Sequence, residues 1–285
     1  MLCIAMRPRK YYAERKGFAP SSNINFDMFK RLFLHKYLQL EREFIFREAT
    51  GYHCVDEGYI VGNWGEDIDS FMFLNLRLNN IWPIQEYIDR YDEPTLFSLI
   101  ELLYEYASEP QSKRYHDYND CGWHTWNYEK EIGQIIFRKS INDILKDYKE
   151  GYMISIEGEI LQLPPTGMEA LTQQDIQTND PRNIDERLKH SITKFLRYDS
   201  SFNEKKEAIR NLADILEYLK DQGIKMPQKD DSALFQIINN FDLRHHRRDQ
   251  QGDYDKEIWY DWLFYTFLST INVLLKMNEK YKINE

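Results

Sequence analysis

Residues 231–276 read DSALFQIINNFDLRHHRRDQQGDYDKEIWYDWLFYTFLSTINVLLK, and this stretch decides the fold of the chain. Apolar residues recur at steps of three and four from Leu234 to Phe241, which predicts a helix with one apolar face. After a turn signal at residues 249–253, an aromatic-rich segment runs to Lys276 and is apolar nearly all round, so we expect the buried, central helix of a bundle. Its unbroken apolar run is shorter than the roughly 20 residues that a membrane span needs.

Two more helices precede this pair, and the same periodicity predicts them at residues 185–198 and 203–222. Four helices joined by short connections predict a four-helix bundle over residues 184–278. Residues 166–183 follow a Pro-Pro pair and are mostly polar. We therefore expect them to be a linker between this bundle and a separate N-terminal domain.

The pattern of apolar residues over 1–165 predicts an N-terminal domain that is also mainly helical. Helical spacing of apolar residues occurs at 26–49, 95–107 and 129–148, whereas residues 152–163 alternate around a Glu-Gly turn and predict a small hairpin. The expected fold class is therefore mainly α: an N-terminal helical domain with a small β-hairpin, followed by a C-terminal four-helix bundle.

Composition and cysteine usage limit the class of protein. The formal net charge of −10 disfavours a protein that coats nucleic acid in general, although a local basic cluster can still hold a few phosphates. Cys3, Cys54 and Cys121 are odd in number and widely spaced, so we expect a reducing compartment and no disulfide framework. The first residues lack the apolar core of a signal peptide, and we expect a cytoplasmic protein with no membrane partner.

The basic run Arg244-His245-His246-Arg247-Arg248 is the first candidate site, with Asn240 just before it. Arginine presents a planar set of donors that matches phosphate, and histidine exchanges a proton near neutral pH. The combination suits the cleavage of a phosphodiester. A basic helix end also complements the helix dipole without any ligand, so a purely structural interpretation of the run stays open.

A second candidate site consists of His116, Cys121 and His124, with His53-Cys54 elsewhere in the chain. The spacing is not that of a standard zinc finger, and no second close pair of thiols is present. We therefore expect no metal site here. The Tyr-, Trp- and His-rich stretch Tyr115–Trp126 is interpreted as a loop that packs over the helices or forms a partner surface. The chain also lacks the glycine-rich phosphate loop and the dinucleotide fingerprint, so we expect no cofactor.

The C-terminal half carries a series of motifs whose order along the chain is informative. Leu234–Leu243 leads into Arg244-His245-His246, and Asp253-Tyr254-Asp255 precedes the aromatic helix Ile258–Leu275. In this order they resemble the HEPN superfamily, whose helical bundles often act as ribonucleases of toxin–antitoxin and phage-defence systems. The resemblance implies a homodimer through the C-terminal bundle, because in that superfamily two protomers build one composite site.

The N-terminal half carries a separate set of motifs. These are Tyr12–Phe18, Tyr91-Asp92 with the helix that follows, Phe137–Asn142, and the hairpin region Gly151–Leu163. They are similar to the N-terminal domains of abortive-infection proteins of the J type, which commonly precede such a bundle. A protein partner at this domain is expected in the alternative interpretation, in which the chain is a non-catalytic interaction and sensor module.

The HEPN resemblance also implies a mechanism. In a metal-free reaction a ribose hydroxyl attacks the adjacent phosphate, a histidine serves as acid or base, and an arginine holds the charge that builds up. Arg244 matches the motif arginine, and His245 matches the polar residue after it. The superfamily has its histidine four to six residues after the arginine, where this chain has Arg248-Asp249-Gln250, and the only following histidine is His246.

Two interpretations of this departure stay open. Either His246 replaces the missing histidine and Arg244, His245 and His246 form the catalytic set, or Arg247 and Arg248 serve RNA binding alone together with Asn240. The first function expected is therefore an RNA-cleaving or RNA-binding effector in anti-phage defence or a toxin–antitoxin pair, working as a metal-independent endoribonuclease. The alternative is a non-catalytic interaction and sensor module with a degenerate HEPN bundle.

Overall fold

The computed structural model describes residues 12–17, 23–173, 176–241 and 254–282, and these residues are mainly α-helical. They divide into two compact units, with the boundary between Tyr152 and Met153. The boundary lies ahead of the Pro164-Pro165 pair at which we placed the end of the N-terminal domain. In no described helix does the apolar stretch reach the length needed to cross a membrane.

The first unit combines helices with two short hairpins. Its elements are, in order, α1 (Tyr12–Arg15), α2 (Phe26–Arg42), α3 (Arg47–Thr50), β1 (Tyr52–Cys54), β2 (Gly58–Ile60), α4 (Ile68–Leu76), α5 (Ile84–Tyr87), α6 (Glu93–Glu105), β3 (Glu109–His116), β4 (Gly122–Glu129) and α7 (Lys130–Leu145). Single 3-10 turns follow α5 and join β3 to β4. Strands β1 and β2 pair antiparallel, as do β3 and β4.

Helices α2, α6 and α7 supply the core of this unit, and capping residues define where two of them begin. The Asn25 side chain accepts the N–H of Met28 at 2.9 Å, and the Asp92 side chain accepts the N–H of Thr95 at 2.9 Å, which satisfies amides that the first turns leave free. The buried faces are dominated by aromatic and branched aliphatic side chains. The largest fully buried side chains of this unit include Tyr37, Tyr148, Phe29, Phe33, Phe46 and Phe137.

One glycine allows α7 to approach the start of the second hairpin. A Cβ at Gly133 would lie 2.3 Å from the Cα of Ser108, so no other residue fits without a shift of the backbone. Ser108 is itself buried and donates its N–H to the carbonyl of Ile45 at 2.9 Å. The base of β3 is therefore fixed against α7 and against the turn between α2 and α3.

The structure differs from the sequence prediction at two places in this unit. The single helix expected over residues 26–49 ends at Arg42, because Phe44 takes a positive φ of 67°, and the chain becomes helical again only at Arg47. The stretch Tyr115–Trp126, which we expected to be a loop, lies in the antiparallel hairpin of β3 and β4. Ladder hydrogen bonds pair its residues across the two strands.

The second unit begins with the predicted hairpin and continues into helices. The elements of this region are β5 (Tyr152–Ile154), which contains the boundary, β6 (Ile160–Gln162), α8 (Glu169–Thr172), a single π-helical turn (Pro181–Asp185), α9 (Glu186–Leu196), α10 (Phe202–Asp221), α11 (Gln228–Asn240) and α12 (Lys256–Lys282). The four long helices lie where periodicity predicted them. The expected linker at 166–183 contains α8 and part of the π-helical turn.

Helix α10 packs against both α9 and α12. It begins with a reciprocal capping box in which Ser201 accepts the N–H of Glu204 and Glu204 accepts the N–H of Ser201. The rings of Phe195 on α9 and Phe264 on α12 stack with centroids 3.8 Å apart. Helix α12 is not buried on all sides as expected, since Ile258, Trp259, Trp262 and Val273 are exposed.

Candidate functional site

Four metal-ligating side chains meet in the first unit. They are Cys54, His116, Cys121 and His124, and their nearest ligand atoms all lie within 4.8 Å of one another. Cys54 is buried, and the other three are half-buried. The residues come from two hairpins, so the cluster exists only because β1–β2 and β3–β4 lie side by side.

The first hairpin places Cys54 at the end of β1. Cys54 pairs with Gly58 across a tight turn, and Gly58 has a positive φ of 79°. At the base of the hairpin a Cβ on Gly51 would lie 2.1 Å from the carbonyl oxygen of Ile60, so the two strands meet without a side chain between them. Because neighbouring residues of a strand point to opposite faces, His53 is exposed while Cys54 is buried.

The second hairpin supplies the other three residues around its turn. His116 ends β3 and pairs with Gly122, Cys121 closes the turn, and His124 is the third residue of β4. Asn119 and Asp120 adopt positive φ of 47° and 51°, which reverses the chain within five residues. The reversal brings the rings of His116 and His124 to a centroid separation of 5.1 Å at 81°.

The two imidazoles have different partners. His124 Nε2 lies 3.2 Å from Cys121 Sγ, so this nitrogen faces the centre of the cluster. His116 Nε2 lies 3.4 Å from Asp56 Oδ2, whereas His116 Nδ1 is buried and has no hydrogen-bond partner in the described part of the chain. A buried ring nitrogen without a partner is uncommon in folded proteins and calls for a ligand.

Aromatic and basic residues surround the cluster. The Tyr52 ring lies 5.0 Å from the His124 ring, and the Arg47 guanidinium lies 5.2 Å from the Tyr52 ring centroid. Desolvation raises the pKa of the Tyr52 hydroxyl, and the nearby Cys54 adds to that increase. Trp123, the residue before His124 on β4, is exposed, so the hairpin that carries His124 also exposes an aromatic side chain.

The predicted RNA site lies elsewhere. Arg244, His245, His246, Arg247 and Arg248 are outside the described residues, as is the side chain of Asn240, the last residue of α11.

The residues on either side of that basic run are described, and they are in contact. Phe241 follows α11 and Tyr254 precedes α12, and their ring centroids are 5.1 Å apart. The rings of Trp259 and Trp262 lie 5.4 Å and 6.4 Å from that of Phe241. We call these four residues the aromatic cluster. Phe241 and Tyr254, the described residues on either side of positions 242–253, therefore both belong to this cluster.

Carboxylates begin α12 beside the aromatic cluster. Asp255 Oδ1 accepts the N–H of Glu257 at 3.1 Å and the N–H of Ile258 at 3.4 Å, which caps the helix. Desolvation raises the pKa of Asp261, Glu257 raises it further, and Lys205 opposes the increase. These acids are potential partners for arginine in the absence of phosphate.

The sequence analysis named Cys54, His116, Cys121 and His124 but did not predict that their side chains meet. It also missed Asp56 and the exposure of Trp259 and Trp262. The turn residues Asn119-Asp120 followed by Gly122, between stretches rich in Tyr, Trp and Thr, were the available signal for a hairpin. If we had predicted a hairpin from this signal, we would also have expected His116 and His124 to lie close together.

No family model matches the chain, and searches of curated proteins and of solved structures find no significant match.

Proposed function

We propose that the chain is an RNA-binding and RNA-cleaving effector of the kind used in anti-phage defence or toxin–antitoxin pairs, with an HEPN-like C-terminal bundle. Support comes from the motif order in the sequence and from four helices at the positions that this resemblance implies. The observation that carries the proposal is the ring contact of Phe241 with Tyr254, the described residues that flank the segment containing the basic run, in a cluster that includes the exposed Trp259.

Single-stranded RNA is bound by aromatic rings that stack on its bases and by arginines that hold its phosphates. The aromatic cluster supplies the rings. Trp259 is 40% exposed, so its indole ring is accessible to a base. Stacking of a base on an aromatic ring contributes about 1–3 kcal/mol and depends little on sequence. Arginine side chains hold phosphates with paired hydrogen bonds. An exposed ring that acts together with arginines therefore suits a single-stranded ribonucleotide chain better than a duplex.

The proposed chemistry is metal-free transesterification. The ribose 2′-hydroxyl attacks the adjacent phosphorus and the bond to the 5′-oxygen breaks, which leaves a 2′,3′-cyclic phosphate and a 5′-hydroxyl. His246 accepts the proton of the attacking hydroxyl or donates one to the leaving oxygen, with His245 beside it. Arg244 stabilises the charge on the phosphoryl oxygens, and Asn240, Arg247 and Arg248 bind the flanking nucleotides.

The effector works as a homodimer through α12. Ile258, Trp262 and Val273 are exposed and lie four and eleven residues apart, so they share one face of that helix. Apolar side chains at this spacing are typical of a helix that pairs with another helix. Light scattering after gel filtration measures the mass of the wild type, and the Trp262→Ala variant is expected to shift that mass toward the monomer.

Cleavage is tested with purified full-length protein and a panel of single-stranded RNAs without added divalent metal. The Arg244→Ala/His246→Ala double variant is expected to lose cleavage, whereas Arg210→Ala, an exposed arginine on α10, is expected to keep it. Expression of the same three proteins in bacteria is expected to arrest growth only where cleavage persists. A wild type that neither binds nor cleaves any RNA and does not slow growth would contradict the proposal.

The second candidate function, an interaction module, is favoured by the acids at the start of α12. Asp255, Glu257 and Asp261 can pair with the arginines and leave no site for phosphate. Binding distinguishes the two functions: RNA affinity that falls steeply with salt requires phosphate contacts, with a slope of about two log units per log unit of salt for three contacts. An interaction module shows no such RNA binding.

A further inference from the structure

We infer that Cys54, His116, Cys121 and His124 bind one zinc ion in a closed, four-ligand structural site. The inference is independent of the proposed RNA site, which lies in the other unit. It rests on the meeting of four ligand types from two hairpins, with all four ligand atoms within 4.8 Å of one another.

The separation of these atoms approaches that of a tetrahedral zinc site. Zinc binds sulfur at about 2.3 Å and imidazole nitrogen at about 2.0–2.1 Å, so neighbouring ligand atoms in a tetrahedron are about 3.3–3.8 Å apart. His124 Nε2 and Cys121 Sγ are already 3.2 Å apart. The remaining pairs lie within 4.8 Å, so a tetrahedral site requires them to close by no more than about 1.5 Å.

His116 provides a second, independent observation. Its Nδ1 is buried with no partner among the described residues, while its Nε2 faces Asp56 Oδ2 at 3.4 Å. A zinc-bound histidine uses one nitrogen for the metal and donates the other N–H to a carboxylate, which fixes the tautomer and the ring orientation. His116 therefore binds through Nδ1, and Asp56 is its positioning residue.

The ligand set selects the metal and its role. Two thiolates and two imidazoles in a tetrahedral arrangement favour zinc, and two thiolates balance its double charge. Binding releases the two thiol protons to solvent, so Zn²⁺ and two neutral cysteines give the bound site and two H⁺. Four protein ligands leave no position for water or substrate, which makes the site structural rather than catalytic.

The consequence for the fold is a link between β1–β2 and β3–β4. Each is a two-stranded sheet, and an isolated hairpin of this kind is marginally stable in water. A zinc ion held by Cys54 from one hairpin and by three residues of the other couples them. The coupling fixes the surface that exposes Tyr115, Trp123 and Trp126.

The test measures zinc in purified full-length protein, prepared without chelator, by elemental analysis. We expect about one zinc per chain in the wild type and a loss of at least about tenfold in Cys54→Ser and Cys121→Ser. Two variants serve as matched controls that keep the metal: His53→Ala, beside Cys54 but on the exposed face, and Cys3→Ser, which removes the remaining cysteine.

Further measurements keep the inference falsifiable where a cysteine variant fails to fold. Replacement of zinc by Co²⁺ is expected to give the strong visible absorption of a tetrahedral ion and a thiolate-to-cobalt charge-transfer band. His124→Cys is expected to retain the metal with an intensified charge-transfer band. Asp56→Asn is expected to keep the ligands but weaken zinc affinity about 10–100-fold.

Two results would overturn the inference. The first is folded wild-type protein without zinc that takes up neither Zn²⁺ nor Co²⁺. The second is a Cys54–Cys121 disulfide in freshly prepared protein, detected as two thiols that react only after reduction. The Arg244→Ala/His246→Ala variant keeps its zinc if the inference is correct, so failure of the RNA proposal and failure of the zinc inference are distinguishable.

Discussion

The two candidate sites of this protein are built in opposite ways. The basic run of the second unit is continuous in sequence and lies between two helices whose periodicity predicts them. The cysteine–histidine cluster of the first unit joins residues more than sixty positions apart and is held by two hairpins that periodicity does not predict. A candidate site formed by consecutive residues can thus be recognised in the sequence. A candidate site that strand pairing brings together is recognised only in the folded structure.

Zinc removal is expected to act on the first unit and to leave the second unchanged. After chelation the backbone amides of β3 and β4 are expected to exchange with deuterium about a hundredfold faster, because a ligand at 100 times its Kd contributes about 2.7 kcal/mol. Amides of α9 and α10 are expected to keep their rates. Equal acceleration in both units, measured by mass spectrometry, would contradict a local structural site.

A core truncation in the second unit should produce the reverse pattern. Phe264→Ala removes a buried ring that stacks on Phe195 at 3.8 Å, and we expect a loss of about 3–5 kcal/mol in the free energy of unfolding. Arg210→Ala, exposed on α10, should cost less than about 0.5 kcal/mol. Urea denaturation measures both, and zinc content is expected to stay unchanged in each. Equal costs for the two variants would show that this ring is not part of the core.

Substitution at the close contact between α7 and β3 tests how the second hairpin is positioned. Gly133→Ala places a methyl group 2.3 Å from the Cα of Ser108, so we expect a cost of about 1–3 kcal/mol. Lys139→Ala, exposed on the same helix, is the control for helix propensity. If Gly133→Ala is as stable as the control in thermal unfolding, the approach of α7 to the hairpin is looser than described.

The smallest expected effect concerns the cap of α6. Asp92→Ala is expected to cost about 1 kcal/mol, and Asp92→Asn less, because asparagine still accepts the N–H of Thr95. Hydrogen bonds from Thr95 lower the pKa of Asp92, so its charge stabilises the folded state above the pKa of the unfolded chain. That contribution is lost as the pH falls through the folded pKa. The stability difference between wild type and Asp92→Asn should therefore shrink in acid, and a constant difference would contradict this assignment.

Helical periodicity predicted the second unit well because each of its helices buries one face. Ile209, Leu212 and Leu216 of α10 are buried, at steps of three and four. The same rule overestimated the burial of α12, since it counts apolar residues but not the neighbours available to cover them. Ile258 and Trp262 are apolar and yet exposed.

The pair β3–β4 could not be predicted in the same way. Its strands carry Lys113, Arg114 and other polar residues on both faces, so no apolar alternation marks them. The unit boundary was also misplaced by a local signal. The Pro164-Pro165 pair predicts a break, but Tyr198 donates its N–H to the carbonyl of Ile160 at 2.9 Å, which ties the hairpin to the residues after α9.

Because the rings of Phe241 and Tyr254 are in contact, an insert much shorter than the twelve residues between them can connect the same two positions. Because both anchor points stand together, about four residues, at about 3.3 Å each, are long enough to bridge them and close the bundle without its basic segment. Such a shortened protein would retain its scaffold while losing every predicted catalytic group. The same arrangement lets evolution replace the insert with another of different chemistry while the helices that carry it stay unchanged.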